Sequence, residues 1–101
     1  MKRRQYHDDL IERLKDVEYA IGYLNIALDE EEKDVFLLAL RNVAEAWGMT
    51  NLSRLSSIHR VSLYKMLSKQ GNPSIESLIK LLQGMGLRIA IAKEEELKHA
   101  A

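Results

Sequence analysis

Apolar residues recur at spacings of three and four through most of this sequence, a pattern typical of helices that bury one face. Two such stripes stand out, one over residues 20–28 and one over residues 36–47. Their members are Ala20, Ile21, Leu24, Ala27 and Leu28 in the first stripe and Phe36, Leu40, Val43, Ala44 and Trp47 in the second. A chain of 101 residues can form one modest core but not two independent ones. We therefore expect an all-α fold and a single domain over residues 1–101.

Capping and turn residues place the ends of six predicted helices. Gly48 is predicted to close the third helix in a left-handed conformation, and Thr50 and Ser74 are predicted to cap the fourth and the sixth. The expected ranges are 8–15, 18–28, a third helix that follows the acidic run 29–32 and reaches 47, then 51–57, 60–68 and a sixth helix from 75 to about 84.

Residues 87–92 alternate in polarity and are rich in isoleucine, which predicts one short strand. A single strand has no partner within this chain, so it pairs with another copy, pairs with another protein, or does not form. Pairing with a second copy makes this segment the candidate dimer element. The tail, 93–101, is expected to be a frayed or helical end.

The net charge is zero, but the charges are unevenly distributed. Residues 5–49 carry eleven acidic and four basic side chains, a net of −7. Residues 50–93 carry seven basic side chains and one acidic side chain, a net of +6. Halves of opposite sign suggest two surfaces with different partners. The basic half is the one that a phosphate backbone would attract.

Residues 49–67 have the composition of a helix-turn-helix, in which two short helices meet at a steep angle. Ser53 is the small residue expected where the helices touch, and residues 56–58 are the expected turn. The second helix needs an aliphatic ridge that packs against the first. The residues expected to face inward are Leu63, Met66 and Leu67, opposite Leu52 and Leu55.

The opposite face of the second helix is predicted to bind DNA. Val61, Tyr64, Lys65 and Ser68 are spaced i, i+3, i+4 and i+7, and Arg60 stands at the N-terminal end. Arg and Lys can bond guanine edges, valine can touch a thymine methyl, and hydroxyl groups reach phosphates or base edges. Since a recognition helix presents its N-terminal residues to the bases, Arg60 and Val61 are the best candidates for reading sequence. The remaining candidates are Ser62 beside this face, and Arg54, Lys69, Lys80 and the first amides of the sixth helix as phosphate contacts.

Several stretches of the sequence resemble known families. Residues 71–74 (Gly-Asn-Pro-Ser), followed by Leu78, Leu81, Leu82 and residues 86–88, resemble the five-helix core of Cro-like repressors. Residues 19–25, 27–28, 36–44, 62–65 and 67–68 are in addition similar to HigA-like addiction-module antidote proteins. The resemblance covers roughly residues 6–92.

The resemblance implies a repressor-like helix-turn-helix bundle with extra N-terminal helices. The corresponding parts are a helical extension over 1–30, a helix-turn-helix core over 31–86, and the short C-terminal strand and tail over 87–101. It implies an antitoxin of a type II toxin–antitoxin module, which neutralises a RelE/ParE-like toxin and represses its own operon as a homodimer on palindromic operator DNA. Carried over by position, the residues that read DNA are Arg60, Val61, Ser62, Tyr64 and Lys65.

Three positions depart from the family pattern. Ser57 stands at the turn, where the family favours glycine, and a serine at positive φ costs of order 1 kcal/mol. Ser53 replaces a frequent alanine but is still small. His59 stands where a capping serine is frequent, and histidine is a poor cap. These departures bear on the aim of the recognition helix rather than on the fold.

The acidic first half suggests a binding surface for a basic toxin. The residues expected to face the toxin are Asp8, Asp9, Glu12, Asp16, Glu18 and the acidic run 29–32. A solvated helix face explains the same charges. Two other functions are compatible with the second half: a free-standing repressor, which would not need residues 1–30, and a protein-binding module whose helix-turn-helix no longer binds DNA.

The sequence contains no pattern of an enzyme, a metal site or a cofactor site. The three histidines are scattered, and no phosphate-binding glycine loop or nucleophile elbow is present. The absence of cysteine fits a reducing compartment, so we expect a cytoplasmic protein. No apolar run approaches the ~20 residues of a membrane span, and the basic start lacks the apolar segment of a secretory signal.

Overall fold

Six helices follow one another between residues 3 and 84 of the chain. The structure is a computed structural model that describes residues 3–95. The helices are α1 (Arg3–Leu14), α2 (Val17–Asp29), α3 (Lys33–Trp47), α4 (Met49–Ser56), α5 (Arg60–Met66) and α6 (Ile75–Gly84). The prediction of an all-α fold is confirmed for the described residues.

The first three helices pack against one another in pairs. Asp16 begins α2, because its carboxylate accepts a hydrogen bond from the Glu18 N–H at 3.1 Å. Leu14, Leu24 and Leu40 are buried where these helices meet. The predicted stripe of α3 is buried or half-buried throughout, with Leu37 and Ala39 buried beside it.

The second half is organised around α4, which packs against α3, α5 and α6. Leu52 on α4 and Leu81 on α6 are completely buried. The α4 and α6 backbones approach closely, because a Cβ added to Gly84 would lie 3.0 Å from the Ser56 Cα. The short α4 therefore fixes the placement of both helices that follow it.

Three predicted helix ends are wrong. The first helix begins at Arg3 rather than residue 8, and His7 on the added turn contacts Glu45 of α3 at 3.1 Å. Thr50 is not a cap: Gly48, at φ 87°, begins α4, while its N–H bonds to the Ala44 and Glu45 carbonyls at the end of α3. The fifth helix ends at Met66, so Ser68 lies beyond it.

The predicted strand at 87–92 is also wrong, because residues 87–93 take no regular secondary structure and no strand occurs anywhere in residues 3–95. A strand requires a second strand for its backbone hydrogen bonds, and the described part of the chain supplies none. The segment leaves α6 through Gly86, at φ 76°, and the Leu87 N–H bonds to the Leu82 carbonyl at 2.8 Å. Residues 96–101 of the predicted tail lie outside the described residues.

Candidate nucleic-acid interface

Three side-chain hydrogen bonds form the turn between α4 and α5. The Ser53 hydroxyl donates to the Ile58 carbonyl at 2.5 Å, and the Ser56 hydroxyl accepts from the Ile58 N–H at 3.3 Å. His59 Nδ1 accepts from the Val61 N–H at 3.3 Å. His59 thus occupies the cap position of α5, where its ring nitrogen takes the place of the oxygen of a usual cap.

Ser57 takes the left-handed conformation that the turn requires, at φ 60° and ψ 29°. This agrees with the prediction of a serine at positive φ. Ile58 follows and is buried, so the turn is fixed to the core as well as through its own hydrogen bonds. A three-residue turn of this kind joins the two short helices and holds α5 in one orientation relative to α4.

One side of α5 is buried and the other is open to solvent. The inner ridge is as predicted, with Leu63, Met66 and Leu67 buried. Leu52 also faces the core, but Leu55 does not, because it is 39% exposed. Leu55 lies three positions after Leu52, and at that turn of α4 the buried residue is its neighbour Ser56, which is 5% exposed.

We define the α5 outer face as Arg60, Val61, Tyr64 and Lys65, all exposed. Val61 is 68% and Tyr64 is 52% exposed, high values for apolar and aromatic side chains. The Arg60 guanidinium carbon lies 5.8 Å from the centre of the Tyr64 ring, an arrangement in which the ring orients the cation. The structure thus presents a base, an aliphatic group, a phenol and a second base on one side of a short helix.

The C-terminal end of α5 is held by α3. Arg41 Nη1 donates to the Leu67 carbonyl at 2.9 Å, and this contact is partly buried. The Ser68 hydroxyl donates to the Lys65 carbonyl at 2.8 Å. Beyond it, Gly71 lies against the Met66 carbonyl so closely that an added Cβ would overlap that oxygen. No sequence pattern pointed to Arg41, because its contact joins residues that are distant in the chain.

A polar cleft of about 520 Å³ separates α5 from the N-terminal end of α6. Ser62 and Lys65 line one side of the cleft and Asn72, Ser74 and Ser77 line the other. The Ser74 hydroxyl accepts from the Ser77 N–H at 3.0 Å, so the predicted cap of the sixth helix is confirmed. The cleft is lined by hydroxyl and amine donors, which suit an anion such as a backbone phosphate.

The other predicted phosphate contacts surround the α5 outer face on different elements. Arg54 lies on α4 and donates to the Asn51 amide oxygen at 2.6 Å, Lys69 lies in the loop after α5, and Lys80 lies on α6. All three are exposed, and within residues 3–95 none of them forms an ion pair. The contact of these residues with DNA stays a prediction, as it does for Ser62 and Ser68.

A protein-family model described as "probable addiction module antidote protein" matches residues 5–93. The chain belongs to this antidote family. An uncharacterized protein of Haemophilus influenzae is 34% identical to this antidote-family chain over 83 residues, which cover 82% of the chain and 86% of the relative. No solved structure matches the chain. Membership implies a toxin partner of some kind, which agrees with the predicted antitoxin role at this level.

The described residues contain neither a candidate membrane span nor a candidate metal cluster. Among residues 3–95, no helix of this antidote-family chain is both long enough and apolar enough to cross a membrane. In the same part of the chain, no group of three or more His, Asp or Glu side chains is placed to hold a metal ion.

Proposed function

We propose that this protein is a non-enzymatic, DNA-binding antitoxin. In this proposal the chain neutralises a RelE/ParE-like toxin and represses its own operon, as HigA-like antidotes do. Two copies bind a palindromic operator, in the cytoplasm, through α4 and α5 used as a helix-turn-helix. The observation that carries the DNA-binding part is the α5 outer face, which is exposed and basic while the opposite side of the same helix is buried.

Docking of α5 in the major groove assigns a role to each residue of the outer face. Arg60 and Val61 stand on the first turn, where a recognition helix meets the base edges. Arg60 bonds a guanine edge, and Val61 contacts a thymine methyl. Tyr64 holds the Arg60 side chain in place, since the guanidinium lies over its ring.

Phosphate contacts follow from the polar cleft and the surrounding bases. A phosphate in the cleft would lie between Lys65 and the N-terminal end of α6, where Ser62 and Ser77 supply hydroxyl groups. Arg54, Lys69 and Lys80 would contact neighbouring phosphates. These contacts raise affinity for any DNA sequence, whereas the base contacts of Arg60 and Val61 provide specificity.

DNA titration of variants tests this division of roles. We expect Arg60→Ala to weaken operator binding by about 1–3 kcal/mol and to lower the discrimination against scrambled DNA. Lys69→Ala should weaken both DNAs alike and reduce the salt slope by about 1. Arg13→Ala is the matched control, because Arg13 is an exposed base on α1, outside the three helices α4 to α6. Equal and weak binding of operator and scrambled DNA by the wild type would refute sequence-specific binding and favour a pure protein-binding module.

The acidic α1–α2 surface supports the proposed basic toxin partner. Asp8, Asp9 and Glu18 are exposed, as are all four residues of the run 29–32. A toxin that binds RNA carries basic side chains on its surface. An acidic surface attracts these side chains over a distance of about 8–10 Å at moderate salt.

Co-expression with the neighbouring small reading frame, tagged on the neighbour alone, tests the antitoxin part. Co-purification together with relief of growth arrest is the expected result. The double variant Asp8→Lys, Asp9→Lys should then reduce co-purification, whereas Arg60→Ala should leave it intact. A harmless neighbour that does not bind would refute the antitoxin proposal and favour the free-standing repressor.

A further inference from the structure

One of the three hydrogen bonds that form the turn before α5 comes from a side chain that titrates. The bonds from Ser53 and Ser56 fix Ile58 at its carbonyl and at its N–H, and hydroxyl groups do not ionise at ordinary pH. The third bond joins the Val61 N–H to His59 Nδ1 at 3.3 Å. Histidine is the side chain that ordinarily changes its charge between about pH 5 and 8. The bond from His59 is therefore the one that a change of pH can break.

His59 contacts the first turn of α5 in two ways. Its carbonyl accepts from the Leu63 N–H at 2.9 Å, and its ring accepts from the Val61 N–H. A cap residue acts in this way, because it satisfies an amide that has no partner inside the helix. Since α5 has seven residues, fewer than two full turns, its first turn is a large part of the helix. Loss of the ring bond therefore loosens the turn that carries Arg60 and Val61.

The ring of His59 can accept this bond only while it is neutral, with its proton on Nε2 and a lone pair on Nδ1. In the protonated ring both nitrogens are donors, so Nδ1 and the Val61 N–H would face each other as two donors. The added charge would also stand at the N-terminal end of α5, where the helix dipole disfavours a cation. The contribution of the cap to stability is thus present while the ring is neutral and is lost as the pH falls.

The charges around His59 offer no carboxylate to a protonated ring. The helix that packs against α5 is α4, and its single charged residue is Arg54. The charged residues of α5 itself are Arg60 and Lys65. The one acidic residue of the basic half is Glu76 of α6, and His59 forms no ion pair with any described residue. The surroundings of the ring are therefore basic, and the anion that a protonated His59 would attract is a DNA phosphate.

We propose that His59 is a positioning residue for DNA reading, whose neutral ring holds Arg60 and Val61 in place and whose protonation lowers the discrimination between operator and other DNA. His59 acts through the two residues that follow it rather than on a base. In the protonated form the first turn of α5 loosens, while the charge on the ring attracts phosphates of any sequence. The inference rests on the proposed DNA binding and adds the proton as a regulator of it.

Titration of operator and scrambled DNA at about pH 8 and about pH 5.5 tests the proposal, since carboxylates stay ionised over this range. We expect the ratio of operator affinity to scrambled-DNA affinity to fall about fivefold at the lower pH, which is the factor that a side-chain cap contributes to a first turn. Binding of scrambled DNA should be unchanged or tighter. Equal discrimination at both pH values would overturn the proposal.

Substitutions separate the cap of His59 from its charge, and they should fold because the residue is exposed. His59→Ser keeps a cap that does not titrate, so it should discriminate like the wild type at the higher pH and retain that discrimination at the lower pH. His59→Ala has no cap and should discriminate about fivefold less well at both. A pH dependence that persists in His59→Ser would belong to another group and would overturn the proposal.

His7→Gln is the matched control for histidine titration. His7 contacts Glu45 of α3 at 3.1 Å, and its helix α1 does not pack against α4 or α5. The variant should therefore show the same pH dependence of operator discrimination as the wild type. Loss of the pH dependence in His7→Gln would assign the effect to His7 and overturn the role of His59.

Nitrogen NMR of the ring tests the cap without DNA. At about pH 8 we expect the His59 proton on Nε2, and the Val61 amide signal should follow the titration of the ring as the pH is lowered. In His59→Ser the Val61 amide should not respond to pH over this range. A neutral ring that carries its proton on Nδ1 would show that the cap is absent and would overturn the proposal.

Failure of this inference can be told apart from failure of the proposed function. If the NMR shows the cap but the wild type binds operator and scrambled DNA alike at every pH, sequence-specific binding is refuted, and the effect of His59 on reading is overturned with it. If the operator is bound specifically and the discrimination responds neither to pH nor to His59→Ala, DNA binding stands and the positioning role of His59 alone is refuted.

Discussion

The two halves of the chain use different means to hold their helices together. In the first half, α2 and α3 pack through aliphatic side chains and one hydrogen bond, from the Asn42 amide to the Tyr23 hydroxyl at 2.9 Å. A Cβ added at Gly22 in α2 would meet nothing within 4 Å. In the second half, glycines allow backbones to touch, at Gly84 against Ser56 and at Gly71 against Met66. The second half is therefore the less tolerant of added atoms.

The two halves differ in net charge as well as in packing. The first half carries a net −7 over residues 5–49 and the second a net +6 over residues 50–93. The basic half has short helices of seven to ten residues, which close backbone contacts can hold in a fixed orientation. A recognition helix must keep its orientation to read bases, whereas an acidic surface attracts a basic partner without such accuracy.

The largest expected effect is at the centre of the second half. Leu52→Ala should lower the free energy of unfolding by about 2–5 kcal/mol, because Leu52 is completely buried on the helix that contacts three others. Leu38→Ala, an equal deletion on α3 at a half-exposed position, should cost far less. Urea unfolding of both variants checks this, and similar losses would mean that α4 is not the centre of the core.

The same substitution should have opposite signs in the two halves. Gly84→Ala should destabilise by about 1–3 kcal/mol, since the new methyl group would force the α4 backbone away from α6. Gly22→Ala should instead stabilise by about 0.5–1 kcal/mol, because it removes a helix-interior glycine and the added methyl group meets no other atom. Thermal melts of the two variants measure both signs. Equal changes in stability for the two variants would show that the halves do not differ in how closely they are packed.

Local patterns in the sequence predicted much of this architecture. The stripe of α3, the inner ridge of α5 and the Ser74 cap each depend on residues that lie within a few positions of one another, whereas the positive φ of Ser57 was expected from the family resemblance. Such features follow from helical periodicity and from the preferences of turns. The α5 outer face was predictable for the same reason, because it is the complement of the ridge.

Features that depend on distant residues were not predictable in this way. The contact of Gly84 with Ser56 and the hydrogen bond from Arg41 to Leu67 join separate helices, and no spacing indicates them. The strand prediction at 87–92 was wrong because an alternating sequence indicates only that the two faces of a segment differ in polarity. It does not indicate whether a partner strand exists. Leu55 was placed inside because it is the apolar residue at that turn, whereas the buried position is the polar Ser56, which packs against Gly84 of α6.

Arg41 should be the main polar link between the halves. Arg41→Ala removes a charged, partly buried hydrogen bond to the Leu67 carbonyl, so we expect a loss of about 1–2 kcal/mol in stability. The end of α5 also loses a support, so operator affinity should fall although Arg41 is not on the α5 outer face. Asn42→Ala, which cuts the bond to Tyr23 within the first half, is the control for the DNA titration. If both variants lower operator affinity equally, Arg41 has no special role in placing α5.

The smallest expected effect is at the turn between α4 and α5. Ser57→Gly removes the cost of about 1–2 kcal/mol that a side chain bears at φ 60°, but it also adds freedom to the unfolded chain worth about 0.5–1 kcal/mol. The net result should be a stabilisation of about 0.5 kcal/mol, detectable by denaturant unfolding. Ser57→Ala keeps the Cβ and should change stability little, so it separates the backbone effect from loss of the hydroxyl. If Ser57→Gly is less stable than Ser57→Ala, the side chain at position 57 bears no strain in the native turn. The three side-chain hydrogen bonds would then be sufficient to hold the turn.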